Sequence, residues 1–181
     1  MGVPSFYKEG KWFDEGLATY FEPILRVRAG LLTEAELWQD FARQMPRGVP
    51  ALTHFGLERS PDYASVYWGG AVFCLTADVE IRTSSGLVRG LEDGVRAVFD
   101  AGGIAWDVWS LERTLAIADR RFGDPVLARL ARRYADHPAP FDLDDVLQRL
   151  GVVRHEHGVE LTDDAPLAAV RRAIVRPPPA P

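Results

Sequence analysis

The feature that most constrains the fold is the segment from Ser65 to Arg82, which is apolar on nearly all sides when it is drawn as a helix. A helix of this kind lies within a core rather than on its surface. Other elements must therefore surround it. The chain has 181 residues, of which 47% are hydrophobic, and this is enough material for one domain built around such a helix.

Shorter amphipathic segments precede the central helix. A helix is predicted from Trp12 to Arg28, with a kink or break at Pro23. A second helix is predicted to begin after Thr33, because Thr33 and Glu36 have the spacing of a capping box, and to end at Pro46. Residues 46–60 are rich in proline and glycine, which predicts a long loop.

Four more apolar stripes follow the central helix and predict helices near residues 91–99, 111–122, 127–134 and 142–150. The predicted caps are Asp107 or Ser110, then Asp124 followed by Pro125, then Asp142. Val152–Leu161 alternates as a small β-hairpin would, and a last short helix precedes a proline-rich tail. The predicted fold is mainly α, with seven or eight helices in a helical domain (1–151) and a small appendage (152–181).

Composition excludes several classes of protein. A net charge of −5 argues against nucleic acid as a partner. A single cysteine, Cys74, excludes an internal disulfide framework and a zinc finger built on paired cysteines. No segment approaches the roughly 20 apolar residues of a membrane span, and the N-terminus lacks the pattern of a signal peptide. No membrane partner is expected, and the cellular location stays open.

The histidines give little support for a metal site within the chain. His155 and His157 would share one face of a strand, but no third ligand stands close to them in the sequence. Half-exposed strand residues are the simpler interpretation of this pair. His54 and His137 are predicted to lie on the surface. Cys74 sits in an apolar run, and this placement favours a core residue rather than a nucleophile.

Several segments together carry a resemblance to a known family. Trp12–Tyr20, which reads WFDEGLATY, resembles the Trp-x-x-Glu-Gly-x-x-x-Tyr helix of gluzincin metallopeptidases. Leu25–Leu31 and Tyr67–Phe73 resemble the glycyl aminopeptidase-like branch, as does the pattern that follows them. That pattern comprises Leu75, Asp78, Ile81, Arg82 and the short segment Leu91–Asp93. The match covers about residues 12–100.

The resemblance implies a zinc peptidase. In this family, a His-Glu-x-x-His helix supplies two metal ligands and a general base, and a downstream glutamate is the third ligand. By motif match, Glu15 would be that metal ligand, and Tyr67 would be the catalytic hydroxyl that stabilises the oxyanion. Without the resemblance, Glu15 is simply a solvated glutamate and Tyr67 an aromatic at a helix start.

The sequence also departs from the family pattern. The His-Glu-x-x-His segment is absent, and its second histidine would fall just before Met1. We therefore expect the chain to begin immediately after that motif. Trp68 and Gly69 stand where the family often has an aromatic residue and a lysine. A glycine-rich PDZ-like region, which many members of this branch carry, is not evident.

Two functions remain open at this point. The first is the C-terminal helical portion of a zinc-dependent aminopeptidase, whose partners are a missing N-terminal catalytic half and a peptide substrate. Zinc is then the cofactor of the parent protein, with none expected in the isolated chain, which would be inactive alone. The second is a non-catalytic helical interaction or scaffold domain derived from such a peptidase. If the cleft wall normally packs on the missing half, apolar residues near Glu15 and Tyr67 are left uncovered in the isolated chain, which predicts some self-association.

Overall fold

The computed structural model describes residues 9–103, 109–156 and 158–177. Within these ranges the chain forms eight α-helices and one antiparallel strand pair, so the prediction of a mainly α fold with a small C-terminal hairpin is confirmed. In chain order the elements are α1 (Lys11–Arg28), α2 (Glu34–Gln44), α3 (Tyr63–Ser84), α4 (Leu91–Asp100), α5 (Leu111–Arg120), α6 (Val126–Tyr134), α7 (Leu143–Arg149), β1 (Val152–His155), β2 (Gly158–Leu161) and α8 (Ala168–Val175).

Helix α3 is the central element, as its apolar sequence predicts. Its residues from Gly69 to Leu75 are all buried, and α1, α4, α6 and α8 pack against it. The α1–α3 pair forms the most extensive helix–helix contact of the described chain. Helix α1 continues through Pro23. The sequence predicts either a kink or a break at this residue, and a break does not occur.

The predicted long loop at 46–60 is instead a series of short helical turns. These turns span Met45–Arg47, Ala51–Phe55 and Leu57–Arg59. Leu52 and Leu57 are buried in them and join the core. Residues 46–60 contain too few apolar side chains to show a helical period. Their sequence pattern therefore favours a loop although the backbone forms helical turns.

Most of the predicted helix caps are present. The Thr33 hydroxyl accepts from the Glu36 backbone N–H at 3.2 Å, and the Glu36 carboxylate accepts from the Thr33 N–H at 2.8 Å. Ser110 caps α5 and Asp142 caps α7. Asp107, the alternative cap of α5, lies outside the described residues.

The predicted Asp124 cap is wrong. Helix α6 begins at Val126, and its second and third N–H groups donate to the carboxylate of Asp119, which lies in the last turn of α5. The donors are the backbone N–H groups of Leu127 and Ala128, both at 2.9 Å. A cap supplied from the preceding helix leaves no local sequence signal.

The C-terminal elements pack on the helices. Strand β2 contacts α2, and α8 contacts α1 and α3. The buried guanidinium of Arg171 lies 3.1 Å from the Glu34 carboxylate and 2.6 Å from that of Asp163. Arg28 donates to the carbonyl of Ile174 at 2.7 Å. Among the described helices, none combines the length and apolarity required to cross a membrane.

Candidate functional site

Two glycines allow α1 and α3 to touch backbone to backbone. A Cβ atom added to Gly16 would lie 2.4 Å from the Gly70 backbone, and one added to Gly70 would lie 2.0 Å from the Trp12 carbonyl oxygen. Both distances are far below van der Waals contact. The glycines of the Glu-Gly and Gly-Gly motifs therefore place the two helices in direct contact.

The opposite side of α3 is held in the same way. A Cβ atom on Gly48 would lie 2.1 Å from the Trp68 carbonyl carbon, and one on Gly69 would lie 2.7 Å from the Ala51 Cβ. The turn that carries Arg47 and Gly48 is thus fixed against the beginning of α3. Tyr67 and Trp68 line a groove together with Thr19 of α1 and Arg47 of this turn.

The two predicted site residues lie together at this crossing. Glu15 precedes Gly16 on α1, and Tyr67 lies three residues before Gly70 on α3. Both side chains are half-buried. A hydrogen bond from the Tyr67 hydroxyl to the Glu15 carboxylate is the main cause that raises the pKa of Tyr67 above its ordinary value. Residues 52 positions apart in the sequence therefore form one polar pair.

Aromatic and charged neighbours border this pair. The ring of Tyr63 contacts that of Tyr67 edge to face, with centroids 6.3 Å apart, and the Lys11 ammonium lies 5.8 Å from the Tyr63 centroid. Burial raises the pKa of Asp14, and the negative charge of Glu15 raises it further. The site thus combines two adjacent carboxyl groups with the half-buried phenol ring of Tyr67 and the exposed one of Tyr63.

A buried polar network lies deeper between α1, α3 and α4. Asp78 is fully buried and accepts hydrogen bonds from the Tyr20 hydroxyl and the Leu91 backbone N–H, both at 2.8 Å. Its carboxylate also lies 2.9 Å from the Arg82 Nε, and the two residues form an ion pair one helical turn apart. Burial raises the pKa of Asp78, while the Arg82 charge opposes that shift.

Glu92 extends the network to the end of α1. Its carboxylate accepts two hydrogen bonds from Arg82, at 2.9 and 2.7 Å, and one from Arg28 at 3.0 Å. The two guanidinium groups outweigh the effect of burial and lower the pKa of Glu92. Four of the residues that carry the resemblance are accordingly partners in one network, namely Asp78, Arg82, Leu91 and Glu92.

Sequence reasoning missed Glu58, which fixes the beginning of α1. Its carboxylate accepts from the Trp12 indole N–H at 2.7 Å and from the Gly10 backbone N–H at 2.8 Å. Burial raises its pKa, and the two donors partly offset that rise. A glutamate in a turn gives no local signal of a partner 46 residues away.

The described residues do not form a metal site by themselves. No group of three or more potential ligands occurs among them. His54 and His137 are exposed, as predicted, and His155 is exposed beside the carboxylate of Glu160 at 3.2 Å. His157 lies outside the described residues. Among the described residues, Glu15 belongs to no such group, so the donor set present there does not fit zinc without ligands from elsewhere.

Cys74 is a core residue, as predicted. Its side chain is fully buried in α3, and burial raises the pKa of the thiol well above its ordinary value. A thiol in this environment stays protonated and is inaccessible, and it does not serve as a nucleophile.

Comparison with known proteins adds no assignment. No protein-family model matches the chain, and searches of curated proteins and of solved structures find no significant similarity.

Proposed function

We propose that this chain is the C-terminal helical portion of a zinc-dependent aminopeptidase of the gluzincin type. The observation that carries the proposal is the pairing of Glu15 with Tyr67. The resemblance selects these two residues separately as a metal ligand and an oxyanion donor, and such a site needs both groups within reach of one scissile peptide bond. Glu15 raises the pKa of Tyr67, and this electrostatic interaction across a half-exposed helix crossing supports that joint role.

The chemistry of the pair is consistent with these roles. Glu15 offers a carboxylate from a helix whose position is fixed by backbone contact at Gly16. A tyrosine hydroxyl with the ordinary pKa of 10.0 is protonated at neutral pH, and the pKa of Tyr67 is raised above that value, so the hydroxyl has a proton to donate to a developing oxyanion. In the family that the chain resembles, bound zinc activates water and polarises the scissile carbonyl.

The other ligands and the general base are proposed to come from a His-Glu-x-x-His helix of an N-terminal catalytic half. One carboxylate does not hold zinc, so we expect no stoichiometric zinc in the 181-residue chain purified alone. Elemental analysis of this chain gives the baseline for the test below. One tightly bound zinc per chain would contradict the proposed division of ligands.

The decisive experiment uses a longer chain translated from the same reading frame. The proposal expects a His-Glu-x-x-His segment upstream, with its second histidine 19 positions before Glu15, and one zinc per longer chain. Glu15→Gln should weaken zinc binding by at least about 10–100-fold. Substitution of a residue that only orients a metal ligand has an effect of this size, and the loss of a ligand itself should be no smaller. Glu22→Gln is the matched control, because Glu22 lies on the same helix but is exposed and pairs with Arg26.

Tyr67→Phe should separate metal binding from catalysis. It should leave the zinc content unchanged and lower kcat by about 10²–10³ on substrates with a free N-terminal residue, the usual loss for one oxyanion donor. If no histidine motif precedes the chain in frame, the peptidase proposal fails. The alternative, a non-catalytic helical interaction or scaffold domain that uses the exposed face of α1 as a contact surface, would then replace it.

A further inference from the structure

We infer that the groove beside Tyr67 binds a carboxylate of a peptide through Arg47. The inference rests on the proposed function for one point, that the ligand is a peptide. It adds that a carboxylate is the group of that peptide that is recognised. The groove has a volume of about 370 Å³, and its lining residues are Thr19, Arg47, Tyr63, Ala64, Tyr67 and Trp68.

The position of Arg47 is fixed by the backbone. Gly48 follows it and packs directly on the Trp68 backbone, next to Tyr67. Residue 47 is therefore anchored beside the proposed oxyanion donor by contacts that no side-chain rotation can change. Only the Arg47 side chain itself remains adjustable, and it is exposed.

The charge of Arg47 has no acidic partner among the described residues. Its guanidinium donates a hydrogen bond to the neutral amide oxygen of Gln44, at 3.1 Å. The nearby Arg43, in contrast, lies 2.7 Å from the Asp40 carboxylate. In a chain with 26 acidic and 21 basic side chains, an unpaired guanidinium at the edge of a groove is free for an anion.

The walls of the groove indicate what accompanies that anion. Tyr63 is 75% exposed, and together with Tyr67 and Trp68 it offers aromatic surface beside the guanidinium. Arginine binds carboxylates through charge-assisted hydrogen bonds, and aromatic rings accept neighbouring apolar side chains. A peptide carboxylate next to an apolar residue would satisfy both the guanidinium and the aromatic rings. It can come from the C-terminus of a short peptide or from an acidic side chain.

Calorimetric titration of the 181-residue chain tests this directly. Three peptides distinguish the sources: Gly-Ala-Phe-Ala with a free C-terminus, the same peptide amidated, and an amidated peptide with glutamate in the last position. We expect a carboxylate-bearing peptide to bind about five- to tenfold more tightly than the neutral amide. Preference for the free acid identifies the C-terminus, and preference for the glutamate peptide identifies a side chain.

Variants assign the preference to Arg47. Arg47→Gln should abolish it, Arg47→Lys should keep part of it, and Arg43→Gln should leave it unchanged. Equal binding of all three peptides, a preference that survives in Arg47→Gln, or no binding at millimolar concentration would overturn the inference. The titration needs no metal, so its outcome is separate from that of the zinc experiment. If the 181-residue chain binds the carboxylate but the longer chain holds no zinc, the proposed peptidase is rejected and the inference about Arg47 stands.

Discussion

Asp78 illustrates how much one buried charge depends on its neighbours. The carboxylate is fully buried and is surrounded by the Tyr20 hydroxyl, the Leu91 N–H and the Arg82 guanidinium. Each of these groups is itself withdrawn from water. Removal of a buried carboxylate therefore leaves several polar groups without a partner at once.

We expect Asp78→Ala to lower the free energy of unfolding by about 3–5 kcal/mol, because it leaves the buried Arg82 charge with Glu92 alone. Denaturation by urea measures this change. Asp40→Ala is the matched control, since it breaks an exposed ion pair with Arg43 and should cost no more than about 1 kcal/mol. Equal losses in the two variants would show that the buried network contributes no special stability.

The pairing at the candidate site can be tested through the pKa of Tyr67. Glu15 raises that pKa by accepting a hydrogen bond from the protonated phenol and by its negative charge. Glu15→Gln removes the charge, so the pKa should fall towards the ordinary value of 10.0. Phenolate absorbance followed against pH, with Tyr67→Phe to identify the signal, measures the shift. An unchanged pKa would mean that the two side chains do not meet.

At the scale of elements, the α1–α3 crossing depends on glycine at one point of closest approach. Gly70 faces the Trp12 carbonyl and the Gly16 backbone, neither of which can move aside as a side chain can. Gly94 in α4 offers a contrast, because an added Cβ would meet mainly the end of the Phe122 ring. The two glycines have similar helical surroundings but different freedom to accommodate a methyl group.

Gly70→Ala should therefore destabilise the protein by about 3 kcal/mol, the upper part of the usual range for overpacking, since the helices must separate. Gly94→Ala should cost clearly less, because Phe122 can shift and alanine favours helix. Thermal unfolding of both variants gives the comparison. If the two losses were the same, backbone contact at the crossing would not be the determining factor.

Features that depend on residues close together in the sequence could be predicted from it. Features that depend on contacts between distant segments could not. The helical period predicts α1 and α3, and the Thr33–Glu36 spacing predicts the start of α2. The Asp119 cap of α6 and the Glu58 contact with Trp12 depend on how separate segments pack. At the candidate site, the resemblance selected Glu15 and Tyr67 individually, but their contact became visible only once α1 and α3 were packed.

At the scale of the whole molecule, an apolar surface remains uncovered along α1. Leu25 is 55% exposed and Leu31 is 72% exposed, and both line a groove of about 510 Å³ between α1 and α4. Exposed apolar residues that lie next to one another favour association between proteins. In the proposed parent enzyme, the N-terminal half would cover part of this face.

We expect the 181-residue chain to self-associate at high concentration through this surface. The double change Leu25→Glu and Leu31→Glu should shift it towards monomer, because charged side chains oppose burial in an interface. Sedimentation velocity over a range of concentrations measures the effect. Val88→Glu, at a residue 79% exposed in the turn after α3, serves as the control. If the unsubstituted 181-residue chain were monomeric at every concentration, the expectation would be contradicted.

The contact between Gly16 and Gly70 has a consequence for how the candidate site tolerates change. The separation between α1 and α3 at Glu15 and Tyr67 is determined by main-chain atoms, whereas most helix pairs are spaced by side chains that vary from one sequence to another. Substitutions elsewhere in the core can alter stability without altering the distance between these two residues. The site can thus keep its dimensions while the sequence around it diverges.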